Sequence, residues 1–216
     1  MNEKLMAGLA MILGSIGTIG FYSLDPVSGI FAASDSPAWT GDKLAFMGAM
    51  GKNSQMIGLI MLLTVITITV TTAGLTYVRN SMMGGKGELY AKLGYLMIAV
   101  MIPIWIVING MVAASAEAAS IGQAGFATGL TLYSGSVGIG TIGTIVAMIG
   151  FSLLGAGLLI QKHYHITVAI LLILTGIVGV VITGIQGFDS SNMTIVWSLW
   201  VLSSVLTGIL TIRSQN

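Results

Sequence analysis

Polar and apolar positions alternate in long blocks along this chain. The block from Ser54 to Val78, SQMIGLIMLLTVITITVTTAGLTYV, holds no charge over 25 residues. As a helix it would rise roughly 37 Å, more than the ~30 Å hydrocarbon core of a bilayer. It opens on a polar pair and closes on Tyr77 and Arg79, an aromatic and a cation where headgroups begin. The same reading gives six membrane-spanning helices, over about 5–24, 54–78, 93–116, 136–160, 166–186 and 193–212. The expected fold is an all-α polytopic bundle in a single membrane domain, residues 1–216. The longest polar connection is 25–53. Within it Ser36-Pro37 reads as a helix start, with Asp35 or Ser36 as cap, so a short interfacial helix is predicted near 37–50, dipping Trp39 and Phe46 into lipid. The small-residue segment from Glu117 to Ser134 reads as a connection.

Composition supports lipid as the solvent. Of 216 residues 55% are apolar and 7% charged, against roughly 25% charged in soluble domains. The first span is longer than a signal-peptide core and lacks a small-x-small site at its end, so it reads as a span. Six spans put both termini on one side. That side collects Lys4, Arg79, Lys86, Lys92, Lys162 and Arg213, while the other has Lys43 and Lys52. The positive-inside rule then predicts cytoplasmic termini in a cell-membrane protein, with 25–53 outside. A net charge of +1 offers no basic patch for nucleic acid. The absence of cysteine removes thiol and disulfide chemistry.

Packing signals are plentiful. Gly14, Gly17 and Gly20 form a smooth strip, and Ser136, Gly140 and Thr144, with Gly143 and Ala147, form small-xxx-small rows. Chemical signals are sparse. No Lys, Arg, Asp, Glu or His lies inside the six spans, which speaks against proton pumps, ion-coupled carriers and membrane proteases. Thr64, Thr67 and Thr71 share a helical face, either bonded to their own carbonyls or lining a polar path. Pro103 should kink the third span; Trp105 and Asn109 follow it, and Asn109 needs a polar partner, protein or ligand. Trp197 and Trp200 stand near the start of the last span. Glu117 ends a span in water or gathers a cation there. His163-x-His165 is two ligands short of a metal site and reads as an interfacial turn, and Gly84-Gly85-Lys86-Gly87 is a turn rather than a phosphate loop. Met47, Met50 and Met56 could hold Cu(I) through soft thioethers, but methionine is scattered throughout, and no cofactor or metal is expected.

The layout as a whole carries a resemblance. A Gly-rich first span and long outer loop lead to Asn53-Ser54-Gln55 at the second span. A basic turn precedes a polar third span, a Gly-rich fourth span ends in a short basic turn, and a single cation closes the last. This resembles small six-span membrane proteins of bacteria and archaea grouped without an assigned function. The resemblance implies the bundle and no activity or site residues.

Three functions are compatible with these features. The first is a non-enzymatic accessory subunit or small sensor, acting through lipid, a membrane-protein partner or a second copy of itself. The second is a small transporter or channel for a neutral or hydrophobic solute, with a path along Thr64, Thr67, Thr71 and Asn109 beside Pro103. The third is an enzyme at the outer face, which requires Asp25, Asp35, Asp42 or Glu117 to converge.

Overall fold

The uncharged blocks fold as helices because backbone polar groups in an apolar setting must pair internally. A computed structural model describes residues 2–29, 41–162 and 164–213, so Trp39, Pro37, Asp35, Ser36 and His163 lie outside the described residues. The described residues are all-α: α1 (Glu3–Ser23), α2 (Lys43–Lys52), α3 (Ser54–Asn80), α4 (Glu88–Ser120), α5 (Gln123–Gln161), α6 (Ile166–Gln186) and α7 (Met193–Arg213). All except α2 are long and apolar enough to cross a membrane. Local caps fix the ends. The Asn2 Oδ1 accepts from Lys4 N at 3.1 Å, and the Asp42 Oδ1 accepts from Leu44 N and Ala45 N at 3.0 Å each.

The six long helices close into a ring. Helix α1 packs on α3 and α7, α4 packs on α3 and α5, and α6 packs on α5 and α7. Glycines set the closest approaches. A Cβ on Gly8 would lie 2.6 Å from the Gly208 carbonyl oxygen, and one on Gly208 would lie 2.7 Å from that of Gly8. Gly14 and Gly17 seat α1 on Thr67 and Thr71 of α3, whereas Gly20 faces open space, so the predicted strip is used over two of its three positions. The outward surface is apolar, with Ile142 at 70% and Ile185 at 78% exposure, as a lipid-facing surface requires.

Two expectations about the connections are corrected. Residues 117–134 are not a loop: α4 runs to Ser120 and α5 starts at Gln123, leaving only Ile121 and Gly122 between them. The small residues there are a packing surface. The Ser115 hydroxyl donates to Gly129 O at 2.8 Å, and Gly125 sits against the Ala118 carbonyl. The third and fourth spans therefore lengthen to 88–120 and 123–161, and their hairpin outreaches the 21-residue α1, α6 and α7. The second correction concerns α2, which begins at Lys43 after its Asp42 cap. Its Phe46 does not dip into lipid. It is buried edge-to-face on Tyr133, with ring centroids 4.9 Å apart, in a core shared with Met47, Met50, Ile57, Ala116 and Ala119.

A second core, around Leu75, Val78, Met82, Leu154, Leu158 and Leu172, fills the opposite end of the ring. There Tyr164, in the turn after α5, shares a 2.9 Å hydrogen bond with the Thr211 hydroxyl. Burial pushes its phenol above the ordinary value. A raised folded-state value means the neutral phenol's contribution is complete below the unfolded pKa and is lost as pH rises through the folded one. Thermal melts in detergent from roughly pH 9 to 11 should fall more steeply for the wild type than for Tyr164→Phe.

Candidate functional site

Between the two cores the ring encloses a cavity of about 640 Å³, within the ~300–1,000 Å³ range of small-molecule sites. Every long helix except α6 contributes to its wall: Thr18, Ile19 and Tyr22 from α1; Met61, Thr64 and Ile68 from α3; Trp105, Ile108, Asn109 and Val112 from α4; Leu130, Tyr133, Ser136 and Val137 from α5; Met193, Thr194, Trp197 and Trp200 from α7. Phe46 and Met50 of α2, Asp25, Asp42, Lys43 and the turn 188–191 border it at the α2 end.

An aromatic cluster forms one face. Trp105 meets Phe188 and Trp197 edge-to-face at 5.5 Å each, and Trp197 meets Phe188 and Trp200 at 6.1 Å each. The 187–192 turn delivers Phe188. Gly187 takes the left-handed φ of 85° that favours glycine, Phe188 N donates to the Thr141 hydroxyl at 3.2 Å, and the ring lies over Gly140, where a Cβ would come within 2.9 Å of it. Gly140 was expected to receive a helix; it receives this ring.

Polar groups inside the cavity are few and incompletely paired. Asn109 is 5% exposed and lies eleven residues from the Ser120 end of α4, about 16 Å along the axis. Its Nδ2 donates to Trp105 O at 2.8 Å, one turn back, which leaves Oδ1 without a donor among the described residues. Thr64 is 3% exposed, and its hydroxyl, like that of Ser190, is buried without a hydrogen-bond partner. Such groups cost free energy unless something pairs with them. Asp25, 2% exposed, accepts from Val27 N at 2.8 Å and from the Ser28 hydroxyl at 2.7 Å. Asp25 and Asp189 line the cavity together with Tyr22 and Tyr133.

The other residues singled out from sequence lie elsewhere. The Thr67 hydroxyl bonds Leu63 O and Thr64 O and receives that of Thr18 at 3.0 Å; the Thr71 hydroxyl bonds Thr67 O. Both belong to the α1–α3 contact and not to the cavity wall. Pro103 is exposed on α4 away from the wall, and Glu117 is exposed near the Ser120 end. Met47 and Met50 are buried, the Met47 sulfur facing the Ser115 hydroxyl, while Met56 is 49% exposed. Of the carboxylates named for an outer active site, Asp25 and Asp42 border the cavity, Glu117 does not, and Asp35 lies outside the described residues. Among the described residues no three His, Asp or Glu side chains gather as a metal site would require.

The sequence signalled Thr64 and Asn109 as polar residues inside apolar spans. Asp25 stood out only as a candidate for an outer active site, and Phe188 and Asp189 carried no signal, because turn residues reveal their site only once the ring is closed. The chain matches no family model, no curated protein and no solved structure.

Proposed function

We propose that this chain is a multi-pass cell-membrane protein that binds a small, predominantly apolar solute in its central cavity and passes it across the bilayer. It acts as a transporter or channel rather than an enzyme. The observation that carries the reading is the cavity itself: it reaches Asn109 and Thr64, two buried polar side chains with unused hydrogen-bonding capacity, beside a large aromatic surface. Sites for small molecules have this composition, mostly apolar with a few convergent polar groups. An accessory subunit held by helix packing would explain the glycine contacts but leave the cavity without a role. The distribution of cations supports an orientation. Lys4, Arg79, Lys86, Lys92, Lys162 and Arg213 lie at or beyond the helix ends opposite α2, so the termini are cytoplasmic and the α2 end faces outward.

The natural absence of cysteine makes a direct test available. In intact cells treated from outside with a membrane-impermeant thiosulfonate, T64C and N109C should react, and T71C, buried against α1, should not. Millimolar 2-phenylethanol should slow the T64C and N109C reactions. Equal inertness of all three variants, or no protection by the alcohol, would overturn the reading.

A further inference from the structure

Resting on that reading, we infer that the preferred solute is a small organic cation: a protonated amine carried on an aromatic or aliphatic body. The cavity presents hydrogen-bond acceptors where a ligand's head group would lie. Asn109 spends one of its two amide N–H groups on Trp105 O and leaves Oδ1 open, and the Thr64 hydroxyl, able to accept or donate, has no partner. An acceptor calls for a donor, and an ammonium carries up to three.

Charge points the same way. Three carboxylates, Asp25, Asp42 and Asp189, border the cavity against one ammonium, Lys43. Asp42 and Lys43 are consecutive and exposed, so water screens them both. Asp25 differs, being buried and held by Val27 N–H and Ser28. The ion pair among the described residues joins Glu88 and Lys92 at the far end of the bundle, so no protein cation answers the buried Asp25; Asp189, exposed on the cavity's border, adds a second and more screened negative charge. A carboxylate kept out of water without a counter-ion favours an incoming cation and repels an anion. The rings of Trp105, Trp197, Trp200 and Phe188 add π faces that attract a cation and pack on its apolar body.

The test uses three probes with one ring and different heads: phenethylammonium, 2-phenylethanol and phenylacetate. Binding is followed by tryptophan emission of the full chain in nanodiscs at pH 7. The cation should bind about tenfold tighter than the alcohol, with phenylacetate weakest. Asp189→Asn should narrow the gap between cation and alcohol, and adding Asp25→Asn, whose amide oxygen can still accept from Val27 N–H, should close it. The alcohol should lose less affinity than the amine in both variants. If the alcohol binds as tightly as the amine, or phenylacetate binds best, the inference falls and the solute-binding reading stands. If none of the three binds, both fall. Should the double variant fail to fold, Asp189→Asn alone decides.

Discussion

Replacing Gly94 with valine is expected to prevent the bundle from assembling. A Cβ at this position would lie 2.6 Å from Gly150 O and 2.6 Å from Leu154 N, and the approach is reciprocal, since a Cβ on Gly150 would lie 2.7 Å from Gly94 O. All of these obstacles are backbone atoms, so no side-chain rotation relieves them. Helices α4 and α5 would have to move apart, and a gap of 0.5–1 Å forfeits about a quarter to a half of each dispersion contact along the seam. Within lipid no hydrophobic force pulls the helices back together, because acyl chains solvate the exposed faces as well as leucine does. A loss of about 3 kcal/mol or more follows, enough to unfold a marginally stable chain. Gly184→Val is the matched control, with nothing within 4 Å of its Cβ. Size-exclusion profiles after a temperature ramp in detergent should show aggregation of G94V and wild-type behaviour of G184V. A G94V melt within a degree or two of wild type would show that this seam does not hold the ring.

The same seam explains which parts of the fold could be read from the chain. The six spans were legible because a missing charge over 20 or more residues has one structural meaning in lipid. Their ends were not, where alanine, glycine and serine are concerned. In 117–134 those residues invite a loop assignment, yet Gly129 meets Ser115 by hydrogen bond and α4 and α5 run through the segment. Small residues signal both turns and close helix contact, and only the partner helix decides between them. The threonine face divides for a related reason. Thr64 and Thr71 lie nearly over one another on α3, seven residues and about 10 Å apart. At Thr64 the ring is open. At Thr71, beyond Ile68, α1 has closed on α3 through Gly14. Helical periodicity gives the face of a residue; how far neighbouring helices have converged at that depth comes from contacts distant in sequence.

Replacing Trp197 with alanine is expected to have the largest effect on the site. Trp197 contacts Trp105, Phe188 and Trp200, so its loss removes three of the four ring contacts in the cluster. In a soluble core this truncation costs about 3–5 kcal/mol; here about 2–3 is expected, since lipid rather than water surrounds the ring of helices and the packing part of the cost dominates. Binding of any ring-bearing probe should weaken at least about tenfold, and Trp197→Phe should recover part of it, which separates a lost binding surface from general misfolding. The truncation also has a consequence for selectivity. A second, small cavity of about 30 Å³ lies beyond the cluster, lined by Ile98, Met101, Thr144 and Phe151, and it shares Ile68, Trp105, Trp197 and Trp200 with the main one. Trp197 lines both, so its removal joins them and exposes the Thr144 hydroxyl, which is buried without a partner. In W197A, 4-phenylbutylammonium should therefore lose less affinity than phenethylammonium, because its longer body can enter the joined space. Equal losses for the two amines would mean that Trp197 does not separate the cavities.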